Sequence, residues 1–249
     1  MMAECAEILG LPGLPYRSLA EELLLKIDRF FWNPRLHAYI DSFSSGKNNI
    51  TRHANIFSIL FNLVDKKQQG EIIRNVLQND EIPQIVTPYF KFYELEAFCA
   101  AGETVRVHKE ILSYWGGMLN LGATTFWEEY YPHMKFPEHY AMYGDKYGKS
   151  LCHAWGSSPV YLLGRYFLGV YPDAGAYRHF ACAPDLADLE WMEGVVPGPG
   201  GDIRVYMDKR KVNVYSPKIP GILMLKDKWI EISPGKMIEV KTGIIQESS

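Results

Sequence analysis

Gly201-Asp202-Ile203-Arg204-Val205-Tyr206-Met207-Asp208-Lys209-Arg210-Lys211-Val212-Asn213-Val214 is the stretch on which the fold class turns. Ile203, Val205 and Met207 alternate with Arg204 and Tyr206, Asp208–Lys211 makes a polar turn, and Val212 and Val214 resume the alternation. A period of two sends one side chain into a core and the next into solvent, so the segment predicts two antiparallel strands. Downstream, short apolar runs at Ile222–Leu225, Trp229–Ile232 and Met237–Val240, separated by Gly and Pro, predict further strands. The expectation is an antiparallel β-domain of sandwich type over residues 175–249.

Upstream of Pro172-Asp173-Ala174-Gly175 the period is helical. Leu19, Leu23, Ile27 and Phe30 form a first stripe, opened by the capping-box pattern Ser18-x-x-Glu21 and stopped by Asn33-Pro34. A second stripe holds His53, Phe57, Leu60, Phe61 and Val64, and a short third holds Ile72, Ile73, Val76 and Leu77. Thr87-Pro88 reads as N-cap and first residue of a fourth helix carrying Phe92, Leu95 and Cys99, with Gly102 placed to end it. A fifth runs from about Glu103 to Leu119. A sixth is expected from near Ser150, with Leu151, Ala154 and Trp155, kinked before Pro159. The first 174 residues are therefore expected to be all-α, six helices at hairpin-like spacing.

Composition narrows the function classes. The 249 residues are 47% hydrophobic and 22% charged, with 26 basic and 29 acidic side chains, the balance of a soluble globular protein. A net charge of -3 with interspersed signs argues against nucleic acid as a partner and against a polybasic membrane surface. No membrane insertion is expected: the apolar run Pro159–Tyr171 is broken by Arg165 and too short to span a bilayer. The N-terminus carries Glu4 and Glu7 where a signal peptide needs basic residues, so no export signal is read, and localisation stays open. Cys5, Cys99, Cys152 and Cys182 lie far apart without Cys-x-x-Cys spacing, so reduced thiols are expected rather than a zinc or redox motif. The aromatic share, 14% with six Trp, sixteen Tyr and twelve Phe, suits core packing and equally the stacking of sugar rings.

Several clusters carry no chemistry on inspection. Pro197-Gly-Pro-Gly-Gly201 feeds a strand rather than a helix N-terminus, so it reads as a turn and not a phosphate loop. His133, Glu138, His139 and Asp145 match no ligand spacing, and no metal or organic cofactor is expected. Lys209–Lys211 is a solvated hairpin end.

Two segments hold candidate chemistry. In Gly122-Ala-Thr-Thr-Phe-Trp-Glu-Glu-Tyr-Tyr131, the carboxylates Glu128 and Glu129 stand among Trp127, Tyr130 and Tyr131. Aromatic walls raise a carboxyl pKa and hold a sugar, which is what a glycosidase needs. Thr125-x-x-Glu128 is equally a capping box, so Glu128 also reads as a helix start. In Ser150-Leu-Cys-His-Ala-Trp-Gly156, His153 reads either as a ligand-binding group or as a buried histidine bonded to a carbonyl.

Taken in order, these segments resemble the bacterial α-L-rhamnosidases, a family of six-hairpin glycoside hydrolases. The resemblance rests on Thr87-Pro-Tyr-Phe90 leading into Glu94-Leu-Glu-Ala97, on Trp115-Gly-Gly-Met-Leu119, on Gly122-Ala-Thr-Thr-Phe-Trp-Glu128, on Ser150-Leu-Cys-His153 with Gly156, and on Val196-Pro-Gly-Pro-Gly-Gly-Asp-Ile-Arg-Val205. It implies a partial (α/α)6 toroid of about three hairpins followed by a C-terminal β-sandwich. It implies an inverting reaction on terminal α-L-rhamnose, with Glu128 the general base, His153 a sugar-binding residue and Trp127 flanking the base. Such enzymes hold acid and base roughly 6.5–9.5 Å apart, leaving room for the attacking water.

The family's general acid comes from the first half of the toroid, and no counterpart is found in this sequence. The chain is thus expected to be the C-terminal part of such an enzyme. An open half-ring is expected to expose apolar flanks and to associate with itself or with the other half. The alternative reading is a non-catalytic carbohydrate-binding or assembly protein derived from such an enzyme.

Overall fold

The computed structural model describes residues 1–226 and 228–242. It divides into two compact units, Met1–Ile85 and Val86 onward. The change from helix to strand thus falls inside the second unit, and the last seven residues of the expected 175–249 span lie outside the described residues.

In the first unit, α1 (Met2–Ile8) and α2 (Leu14–Phe31) are followed by a two-strand ribbon, β1 (Trp32–Asn33) and β2 (Ala38–Tyr39), then α3 (Arg52–Leu60) and α4 (Lys66–Ile72). One π-helical turn, Ile73–Leu77, continues α4. The start of α2 differs from expectation. Its N-cap is Gly13 and Pro15 occupies the first turn, where a fixed φ and a missing N–H cost nothing, so Ser18-x-x-Glu21 lies inside the helix. A true capping box opens α4 instead: Asp65 Oδ1 accepts from the Gln68 N–H at 2.8 Å, and the Asp65 N–H donates back to Gln68 Oε1 at 3.2 Å. The core of this unit is Ile56, Ile59, Ile72, Val76 and Leu77 with Ala38 and Tyr39. Buried Asn55 ties the ribbon to α3 by accepting from the Tyr39 N–H and donating to the Tyr39 carbonyl, both at 2.9 Å. The stripe of α2 has helical spacing, yet no side chain of α2 is buried: Leu19 and Leu23 are exposed.

The second unit opens with α5 (Pro88–Ala100) and α6 (Thr104–Asn120), a helical hairpin. Gly102 turns it at φ +83°, which a glycine adopts without strain, and the Glu103 N–H caps the Phe98 carbonyl at 2.9 Å. Leu95, Ala97, Phe98, Val107, Trp115 and Met118 are buried between these helices and their neighbours. Each large apolar side chain so buried stabilises the fold by about 1.5–3 kcal/mol.

The expected helix from Ser150 starts later, as α7 (Ser158–Leu162), continued by a π-helical turn Leu163–Phe167. Pro159 sits in its first turn and begins the helix instead of kinking it. Ser150–His153 is not helical because its backbone bonds are taken: the His153 N–H donates to the Phe126 carbonyl at 2.7 Å, and the Glu128 N–H to the Ser150 carbonyl at 2.9 Å.

Among the described residues eight strands follow: β3 (Val170–Pro172), β4 (Phe180–Cys182), β5 (Trp191–Val196), β6 (Ile203–Asp208), β7 (Lys211–Tyr215), β8 (Gly221–Leu225), β9 (Lys228–Ile232) and β10 (Met237–Lys241). One sheet has the order β10-β7-β6-β5 and is antiparallel throughout. The other has the order β3-β4-β8-β9, and its β4–β8 pair is parallel, which departs from the all-antiparallel expectation. The alternation of β6 and β7 matches burial, with Ile203, Val205, Val212 and Val214 inside. Their turn is built by Asp208, whose Oδ1 accepts from the Arg210 and Lys211 N–H groups at 2.7 and 2.8 Å. Thr104 on α6 donates to Asp185 at 2.7 Å, tying the helical hairpin to the loop before β5. Among the described residues, no helix is long and apolar enough to cross a membrane.

Candidate active site

Two extended segments, residues 123–131 and 149–153, lie side by side and carry the candidate chemistry. Three contacts hold them in register. Two are the backbone bonds from His153 to Phe126 and from Glu128 to Ser150, and the third is the Thr125 hydroxyl on the Leu151 carbonyl. Thr125 therefore spends its hydroxyl on this pairing and caps no helix, and Glu128 starts none. Gly156 lets the segments close: a Cβ there would lie 2.9 Å from Phe126 Cβ and 3.0 Å from the Trp127 carbonyl oxygen. The Gly156 carbonyl is anchored in turn by the buried Trp115 indole of α6, whose N–H donates to it at 2.8 Å.

Glu128 is buried, at 6% exposure, and both of its carboxylate oxygens are engaged. Oε1 accepts from the Tyr143 hydroxyl at 2.8 Å and Oε2 from the Ser150 N–H at 3.1 Å. His153 Nδ1 stands 3.8 Å from Oε2. Burial alone pushes this carboxyl up, the direction expected for aromatic walls. The Tyr143 and Ser150 donors, with His153 and Lys149 close by, outweigh it and hold Glu128 below its ordinary 4.5. Hydrogen bonding to the charged form wins over desolvation here, so the site keeps a carboxylate and not a carboxylic acid. Glu129, next in the chain, is buried and faces the Tyr131 hydroxyl, whose phenol is pushed up to about 12 by that carboxylate and by burial.

The flanking aromatics divide into two sets. Trp127 is buried, edge-on to Tyr140 at 5.9 Å. The ring of His153 lies 4.1 Å from that of Trp155, which lies 5.4 Å from Tyr89, and both Trp155 and Tyr89 are exposed. Tyr143, Lys149 and Tyr89 are site neighbours that sequence spacing alone does not single out, whereas Trp155 stands two residues from His153 in the sequence. The Gly144 turn signal marks a loop but says nothing of where that loop folds. Of the four residues weighed as metal ligands, His139 is buried against Tyr130 with rings stacked at 5.7 Å, and Asp145 caps its own turn on Tyr147. Among the described residues, no group of three His, Cys, Asp or Glu side chains could hold a metal ion.

Comparison with solved structures extends this picture. The GH78-family rhamnosidase of Bacillus sp. GL1 superposes with a TM-score of 0.70 over 86% of this chain, at 24% identity. The α-L-rhamnosidase of Aspergillus terreus does so with a TM-score of 0.77 over 98% of the chain, at 14% identity. That of Streptomyces avermitilis, solved with L-rhamnose, gives 0.69 over 91%, at 16% identity. The fold is that of the α-L-rhamnosidases. The resemblance first carried by the Thr-Thr-Phe-Trp-Glu and Gly-Asp-Ile-Arg-Val elements thus holds in three dimensions along most of the chain. The chain spans 23%, 29% and 22% of the lengths of these three rhamnosidases. No family profile matches the sequence, and no curated protein matches it either.

Proposed function

We propose that the chain is the C-terminal portion of an inverting glycoside hydrolase that releases terminal α-L-rhamnose from glycans or glycosides, with Glu128 as general base. In this reading residues 1–174 belong to the second half of an (α/α)6 toroid and residues 175–249 to a β-sandwich domain. The observation that supports it best is a buried carboxylate kept ionised by two donors, Tyr143 and Ser150, beside His153. A base of this kind takes a proton from water as the water oxygen bonds the anomeric carbon. The glycosidic C–O bond breaks with its electron pair going to the leaving oxygen, which receives a proton from an acid on the opposite face. No described residue is assigned that acid's role, and the reading places it in the remaining part of the ring.

His153 is assigned a hydrogen bond to the sugar, with Trp127 flanking the base and the exposed rings of Trp155 and Tyr89 the aromatic groups offered to the sugar's C–H face. The exposed side chains Leu14, Leu19, Leu23 and Leu25 of α2 support association with a second copy or with the rest of the ring.

Hydrolysis of an aryl α-L-rhamnoside, run beside Glu128→Gln, tests the assignment. In any form that includes the acid, the variant should lose about 10²–10⁴-fold in turnover, the usual contribution of general acid–base catalysis. Wild-type-like turnover in the variant would remove Glu128 as base. If neither form turns over, tryptophan fluorescence titrated with L-rhamnose separates a sugar-binding half-site from a chain without one. Saturable binding in the absence of turnover favours the non-catalytic carbohydrate-binding reading.

A further inference from the structure

Lys149 is 5% exposed, and its ammonium is buried without a hydrogen-bond partner. A buried cation that gives up water and gains no hydrogen bond is costly, and is kept only where neighbouring charge compensates it. The charges acting on Lys149 are the carboxylates of Glu129 and Glu128, both themselves buried. Without a cation beside them, two adjacent buried carboxylates would stand without a compensating charge.

The backbone fixes Lys149 in place from both sides. Its own N–H donates to the Tyr140 carbonyl at 3.1 Å, in the loop that presents Tyr143. The next residue, Ser150, both accepts from the Glu128 N–H and donates to Glu128 Oε2. We infer that Lys149 is a positioning residue, a buried cation built against the Glu128–Glu129 pair to keep Glu128 free to accept a proton. The inference rests on the reading of Glu128 as base. Burial lowers the Lys149 ammonium from its ordinary value while Glu129 and Glu128 oppose that change. The other titratable groups facing the pair are His153, Tyr131, Tyr143 and, on α6, Tyr114.

Carboxyl-carbon NMR of the whole chain, with the Glu128 resonance assigned by its loss in Glu128→Gln, tests this directly. In Lys149→Met the Glu128 titration midpoint should move up, and in Lys149→Arg, which keeps the charge, it should stay near wild type. An unmoved midpoint in folded Lys149→Met overturns the inference, because a purely packing role would leave the carboxyl untouched. If Lys149→Met does not fold, the wild-type side-chain nitrogen resonance of Lys149 decides. It should shift in step with Glu128 titration, with that step absent in Glu128→Gln, and no such step overturns the inference. These readouts are independent of turnover. Retained hydrolysis in Glu128→Gln sinks the base assignment alone, while an unmoved midpoint sinks the role of Lys149 alone.

Discussion

Tyr143, an 80% exposed residue in the left-handed region at φ 54°, donates a 2.8 Å hydrogen bond to the buried carboxylate of Glu128. The turn that allows this is closed by the reciprocal Met142–Asp145 backbone pair, at 2.9 and 3.0 Å, with Gly144 at φ +80°. A surface loop therefore reaches over the candidate base and supplies one of its two donors. Tyr143→Phe should leave the thermal midpoint almost unchanged, since the phenol is solvated, while raising the Glu128 titration midpoint. A thermal melt of the variant checks the first and a carboxyl NMR titration the second. A large loss of stability with no change at Glu128 would contradict the role given to the loop.

The pH dependence of stability follows with a definite sign. The folded state holds Glu128 below its ordinary 4.5, so the unfolded chain binds the proton first as pH falls. The contribution of Glu128 is complete above about 4.5 and is lost as pH drops through the lower folded value. Denaturant unfolding measured from neutral pH down to acid should therefore show a shallower loss in Glu128→Gln than in wild type below that point. Identical slopes would mean the carboxylate is not favoured by folding.

Trp115→Phe removes the indole N–H that holds the buried Gly156 carbonyl and leaves that oxygen unpaired. The expected cost is about 1–3 kcal/mol, the penalty for an unsatisfied buried acceptor. Because Gly156 closes residues 153–156 onto Phe126 and Trp127, weaker L-rhamnose binding should accompany the loss. Urea unfolding and fluorescence titration read the two effects separately.

Gly117→Ala inverts the usual helix rule. An alanine in a helix interior ordinarily stabilises relative to glycine by about 0.5–1 kcal/mol. At Gly117 of α6 a Cβ would collide with the Tyr130 ring, which is packed edge-on to Tyr114 at 5.4 Å and stacked on buried His139. Overpacking of this kind costs about 1–3 kcal/mol, so the variant should be the less stable one by urea unfolding. The same substitution at Gly116, whose Cβ would meet nothing within 4 Å, should be neutral or stabilising.

The four cysteines are all free and should split into two classes with a thiol reagent near pH 8. Cys5 and Cys152 are exposed and should react at once. Burial pushes the thiols of Cys99 and Cys182 up to about 12, so they should react only after denaturation. Four fast thiols in the native protein would contradict the packing of α5 and β4.

The amino-acid sequence by itself determined what depends on local periodicity and backbone chemistry. The alternation at Ile203–Val214 made β6 and β7 readable, Thr87-Pro88 and Gly102 marked both ends of α5, and Glu128 and His153 stood out by residue type beside aromatics. Local signals misled where long-range bonds claimed the same groups. Thr125 looked like a cap but bonds Leu151, and Ser150–His153 looked helical but pairs with residues 126–128. β5 was unread because its outward face carries Trp191 and Val195, which blurs the alternation. Only the tertiary structure decided which state Glu128 occupies. Its donors, Tyr143 and Ser150, lie 15 and 22 residues away along the chain, and no periodic pattern encodes a contact made by a loop folding back. Desolvation by the aromatic walls was legible in sequence, but the hydrogen bonds that overcome it were not, because they exist only once the two segments meet.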